Sequence, residues 1–195
     1  MPRWPVDVPR ATPNGKYGAV RTKDSGASCG TKPFPCVHNG LDLAGPAGTE
    51  VYAPEDLSVD SVSTGFLPPF TGYDPGVMLA RGTKSGVYHL FGHLDPDTIQ
   101  SPTQPGTWWD YATTPLWKST DQRNQIKEGE IIGRMSRRNH VHWEVRQPGW
   151  NGARTNPALW IKRYVSPGLD VKSFSDGGDG EGLLVLLLLG YLVMR

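Results

Sequence analysis

Short runs of alternating apolar and polar residues, each closed by Gly, Pro or Asp, set the rhythm of the chain between residues 49 and 147. TEVYAP (49–54), LSVDSVS (57–63), GVMLAR (76–81), GVYHLFGHL (86–94), GEIIGRM (129–135) and HVHWEVRQ (140–147) are rich in β-branched and aromatic residues and read as strands. Several short strands at this spacing predict a mainly β fold built on a small antiparallel sheet, either sandwich-like or partly closed as a barrel. One stretch breaks the rhythm. From Asp95 to Lys127 the chain is polar and carries Pro96, Pro102, Pro105 and Pro115 together with Trp108, Trp109, Tyr111 and Trp117. Connections of that length are uncommon unless they have a function, and the aromatics suit either a satellite core or the rim of a groove.

Composition narrows the class. Hydrophobic residues make up 37% of the 195 and charged residues 20%, the balance of a globular chain long enough to bury a core. Twenty Lys and Arg against nineteen Asp and Glu leave a formal charge of +1, so no nucleic-acid partner is expected. Twenty-four glycines and eighteen prolines speak against a helical bundle. Two cysteines, Cys29 and Cys36, cannot build a disulfide framework; they either close the loop SCGTKPFPC in an oxidising compartment or remain thiols.

The two ends differ. MPRWPVDVPRATPNGKYG holds no apolar stretch of signal-peptide length, so secretory export is not expected from it. At the other end SDGGDGEG (175–182) reads as a flexible linker, and the twelve residues from Leu183 to Met194 carry no charge and no polar face. A helix of that length reaches roughly 18 Å, short of the ~30 Å hydrocarbon core of a bilayer. The segment is read as a membrane or assembly anchor, with docking onto the domain as the alternative. The expected layout is an N-terminal arm (1–16), one domain (17–174), the linker (175–182) and the hydrophobic tail (183–195).

All five histidines, His38, His89, His93, His140 and His142, fall in three short segments. Strand alternation in HVHWEV puts His140, His142, Glu144 and Arg146 on one face and Val141, Trp143 and Val145 on the other. With the apolar face on the core, the histidines face a cleft. In HNGLD, His38 and Asp42 share one face of an extended segment, because Gly40 and the AGPAGT that follows disfavour a helix. Imidazole with carboxylate is zinc-ligand chemistry, and a catalytic zinc takes three protein ligands and leaves a fourth position to water. His38, Asp42 and one of His140 and His142 would supply that set. The remaining member of the pair would handle a proton or developing oxyanion charge beside it. On GVYHLFGHL alternation gives His89 and His93 the same face, so either could reach the cleft. Arg137 and Arg138 read as a solvated turn or as a pair that binds carboxylates.

This ordered set resembles the lysostaphin-type zinc metallopeptidases, which cleave peptide cross-links of bacterial peptidoglycan. The likeness runs from about Tyr17 to Pro157. It comprises HNGLDLAGPAGTEVYAPEDLSV (38–59), similar to the family's His-x-x-x-Asp motif and the turn and strand after it, then FGHLD (91–95), EGEIIGRM (128–135), HVHWEV (140–145) and the closing NPALW (156–160). The resemblance implies a small antiparallel β core with a narrow groove and one zinc per chain. It also implies His38, Asp42 and His142 as zinc ligands, His93 and His140 as catalytic histidines, and a structural role for His89. SRRN (136–139) stands where the family usually has Thr-Gly-Pro, which bears on the shape and charge of the groove. The function implied is hydrolysis of peptidoglycan peptides. With no export segment, the expected setting is a phage lysin that acts from a virion or through a holin at the host envelope, its tail meeting a membrane or virion proteins. The rival is a non-catalytic zinc-binding or structural virion protein of the same fold; retention of His38, Asp42, His93, His140 and His142 argues against it.

Overall fold

A computed structural model describes residues 3–25, 33–63, 76–100, 125–148 and 152–176. Its strands are β1 (Val20–Arg21), β2 (Cys36–Val37), β3 (Leu41–Ala44), β4 (Glu50–Tyr52), β5 (Leu57–Ser63), β6 (Gly76–Gly82), β7 (Tyr88–Leu94), β8 (Gln125–Ile126), β9 (Ile131–Arg134), β10 (His140–Arg146) and β11 (Arg154–Thr155). One helix, α1 (Pro157–Tyr164), follows them. All six segments read as strands from the sequence form strands.

The main sheet has seven strands in the order β11-β10-β7-β6-β5-β8, with β3 also paired to β10. Every neighbouring pair is antiparallel. β10 lies inside the sheet: β7 runs along one edge of it, and β3 and then β11 run along the other. β1 pairs with β2, and β4 with β9, in two small antiparallel ribbons.

Alternation on these strands sends Leu41, Leu43, Phe91, Val141, Trp143 and Val145 into one core. Each such side chain contributes roughly 1.5–3 kcal/mol by leaving water. Trp143 is the hub. Its ring lies parallel to Phe91 at 6.5 Å and meets Trp160 of α1 and Trp4 edge-on at 5.9 and 6.4 Å. α1 begins where Asn156 caps it, accepting from the Ala158 amide at 2.9 Å, with Pro157 in the first turn. Lys162 and Arg163 complement the dipole at its other end.

The segment read as an N-terminal arm is stitched into the domain. Val6 is in the core, with Trp4 packed against it. Backbone amides of Tyr52, Ala44 and Asp42 donate to the carbonyls of Pro5, Arg10 and Gly15, each at 2.8 Å. The chain also stays paired past residue 174, where Ser175 bridges to Tyr17 and the Asp176 amide donates to the Tyr17 carbonyl at 2.9 Å. Cys36 is disulfide-bonded. Cys29, the four aromatics between residues 108 and 117, and the 183–195 tail lie outside the described residues. No helix among the described residues is long and apolar enough to cross a membrane.

Candidate functional site

The pairing of β10 assembles the site. His142 stands opposite Asp42 of β3 on one edge and opposite Gly92 of β7 on the other. His38, just before β3, completes a buried cluster with them. Asp42 Oδ1 lies 2.6 Å from His142 Nδ1 and 3.2 Å from His38 Nε2, and the two ring nitrogens are 3.1 Å apart. Gly40 makes this closeness possible, since a Cβ there would fall 2.5 Å from the ring of His142.

Each donor is oriented by what its other polar atom does. His38 Nδ1 donates to the Lys16 carbonyl at 3.1 Å, which turns Nε2 inward. His142 Nε2 donates to Glu144 Oε1 at 3.2 Å, which turns Nδ1 inward. Asp42 Oδ2 accepts from Arg21 at 2.8 Å, which leaves Oδ1 facing the two rings. Two imidazole nitrogens and one carboxylate oxygen, each fixed from behind, are a donor set that fits a divalent cation.

Charge in the cluster follows from burial and neighbours. Burial by itself would lower the pKa of His142, but Asp42 and Glu144 on either side raise it to about 9. For Asp42 burial works upward, and His142 and His38 outweigh it, holding the carboxyl well below its usual range. His38 moves down, because burial outweighs the pull of Asp42. A cation entering here therefore displaces the proton of His142.

His93 and His140 stand beside the cluster. Their rings meet edge-on with centroids 4.6 Å apart, and His93 lies 6.4 Å from the ring of His142. His140 Nδ1 donates to the Arg138 carbonyl at 2.8 Å, which tethers the ring through that nitrogen. Arg137 and Arg138 are exposed in the turn before it, where Asn139 takes a φ of 58°. Strict alternation along β7 does not survive. Gly76 pairs with Leu94 and Val77 with Gly92, so His93 is bulged out of the ladder with a φ of 63°. That extra residue moves His93 to the face of His142 while Leu94 returns to the core. His89, expected to share a face with His93, is on the opposite one. It is fully buried, with Nε2 2.9 Å from Glu55 and Nδ1 accepting from the Trp143 indole at 3.2 Å.

Reasoning from the sequence missed the groups that hold the site. Glu144 and Arg146, expected to face a cleft, are buried. Glu144 Oε2 takes Arg146 at 2.7 Å and Arg154 at 3.0 Å while its other oxygen holds His142. Burial works to raise its pKa, and His142, Arg146 and Arg154 together bring it far below the ordinary carboxylate value. Glu at two positions after a His on one strand face was the available signal for this contact. Nothing in spacing pointed to Arg21.

No family profile and no curated protein matches the chain. Solved structures do. Csd3 of Helicobacter pylori, in its orthorhombic crystal, gives a TM-score of 0.52 at 15% identity over 99% of this chain, which spans 41% of that structure's length. LytU gives 0.51 at 18% identity, covering 90% of this chain and 99% of that one. The catalytic domain of the antimicrobial peptidase lysostaphin from Staphylococcus simulans gives 0.45 at 15% identity, over 69% of this chain and 90% of that one. This chain has the fold of the lysostaphin-type metallopeptidases.

Proposed function

We propose that the protein is a zinc-dependent endopeptidase that hydrolyses peptide cross-links of bacterial peptidoglycan. The observation that carries this reading is the placement of two further histidines, His93 and His140, on the same side of the sheet as the three converging donors. His38, Asp42 and His142 would hold the ion through Nε2, Oδ1 and Nδ1. Zinc held there supplies Lewis acidity toward a peptide carbonyl and acidifies water to near neutral pH. The remaining work belongs to the chain. The Lys16 carbonyl, Glu144 and Arg21 keep the donors aimed. His140, tethered through Nδ1, presents Nε2 to take a proton from the attacking water and return it to the leaving amine. His93, set beside it by the bulge, is placed to stabilise negative charge on the carbonyl oxygen as it develops.

Access to the bacterial wall as a phage lysin, with the apolar 183–195 segment holding it to a membrane or particle, is the setting we attach to this reading. The enzymatic core is tested on purified full-length protein. About one zinc per chain is expected, with loss of turbidity in a suspension of bacterial walls. A chelator should stop that loss and added zinc restore it. A chain that takes up no zinc and leaves walls intact would overturn the proposal.

A further inference from the structure

Arg21 lies in β1, far in sequence from the histidine segments, and its side chain is largely buried against the site. Its guanidinium donates to Asp42 Oδ2 at 2.8 Å and, through the same nitrogen, to the Asn14 carbonyl at 3.3 Å. The backbone around Asp42 is pinned from the same side. Its amide donates to the Gly15 carbonyl at 2.8 Å, and its carbonyl accepts from the Thr12 amide at 2.9 Å. Gly15 lies so close that a Cβ on it would fall 2.5 Å from the Cβ of Asp42. Asp42 is therefore clamped as a whole, with one carboxylate oxygen turned to His38 and His142 and the other occupied by a cation.

We infer that Arg21 is a positioning residue that makes Asp42 a one-oxygen ligand and so keeps a coordination position open for substrate. A carboxylate can bind a metal through one oxygen or both, and zinc accepts four or five ligands, so the protein has to choose. Here Arg21 Nη2 holds the second oxygen through a charge-assisted hydrogen bond that competes with a metal bond. The buried position keeps that bond from being screened. The segment of residues 12–15 anchors both Arg21 and Asp42, which gives the N-terminal stretch a part in setting the geometry. This inference rests on the metal-site reading above.

The test uses full-length protein loaded with cobalt(II) in place of zinc, because the intensity of its visible bands reports coordination number. Wild type should show the strong bands of a four-coordinate ion. The neutral variants Arg21→Gln and Arg21→Met release Oδ2, and the bands should weaken severalfold as a fifth ligand enters. Arg21→Lys, which restores a cationic donor, should recover most of the intensity. Met keeps the packing of the Arg stem, so it is the variant to read if Gln does not fold. Competition with a chromophoric chelator should show a ~10–100-fold loss of affinity in the neutral variants, the usual scale for removing a group that orients a ligand. Neutral variants that fold and keep wild-type bands would overturn the inference. Failure of the underlying reading looks different, since the wild-type chain itself would then take up no cobalt.

Discussion

His89 and His142 sit on adjacent strands, both buried, each within reach of a carboxylate, and they titrate in opposite directions. His89 lies 2.9 Å from Glu55, yet its pKa is lowered, because complete burial outweighs that one carboxylate. Its other neighbours are the rings of Phe91, Trp143 and Trp160. His142 is also buried, but it is held between Asp42 at 2.6 Å and Glu144 at 3.2 Å and is driven up to about 9. One face of the sheet thus keeps its imidazole neutral inside an aromatic layer, while the other gathers negative charge around its imidazole. A contact with a carboxylate does not decide a histidine's role; the count of charges against the cost of burial does.

Removing charge from the second face should have the largest effect. Asp42→Ala and His142→Ala each delete one of the three donors, and both should lose bound zinc and reduce wall lysis to background while the fold persists. Metal analysis beside the lysis assay checks this. If His142→Ala kept its zinc and His140→Ala lost it, the assignment within that pair would be reversed.

A smaller loss is expected from the histidines that flank the cluster. His93→Ala and His140→Ala should each cut turnover by at least ~100-fold with zinc retained, the scale of a general acid–base or oxyanion group. His89→Ala should leave the chemistry of each folded molecule much less affected. Equal losses of turnover for His93 and His89 would erase the distinction between the two faces.

The smallest effect belongs to the aromatic side and is read in stability. Glu55→Ala strips His89 and Ser85 of their buried acceptor and should cost ~1–3 kcal/mol in denaturant unfolding, with turnover per folded molecule unchanged. The pH dependence sharpens the contrast. His89 is depressed below its ordinary 6.5 and Glu55 below its ordinary 4.5, so both contribute stability above those values. That stability is lost as acid protonates them. His142 is shifted the other way, so in chelator-treated protein its contribution is complete below 6.5 and disappears as the pH rises through about 9. Melting temperatures across this range should fall at both ends, and Glu55→Ala should alter the acid limb while leaving the alkaline limb as it is.

Much of this architecture was legible in the sequence, for reasons that differ by element. β10 announces itself because period-two patterning survives along its seven residues, whereas in β5 the apolar residues Leu57, Val59 and Val62 step across a bulge at Asp60. β1, β2, β8 and β11 are two-residue ladders that exist only because a partner strand is there, and so no local pattern marks them. α1 was passed over although Asn156 and Pro157 form a recognisable helix start; eight residues gave too short a period to stand out. The histidine and aspartate positions could be read from alternation within β10 and from spacing in HNGLD. Arg21 could not, since 21 residues separate it from Asp42 and only the fold brings them together. Alternation also misled on β7, where it placed His89 and His93 on one side.

The bulge at His93 can be restated as a slip of phase. Before it, β7 carries core residues at 89 and 91; after it, the next core residue is Leu94, three positions on instead of two. Substitutions cannot undo such a slip, but a single deletion can. Loss of Gly92 would bring Leu94 to two positions after Phe91, leaving the imidazole on the side of His142 and the leucine in the core without a bulge. A regular strand of unchanged length would instead turn the imidazole into the aromatic layer and push the leucine out over His142. For anyone grafting this constellation onto another sheet, the transferable unit is consequently not a set of histidines at given spacings. It is the odd-numbered step in the strand, together with the left-handed residue that absorbs it.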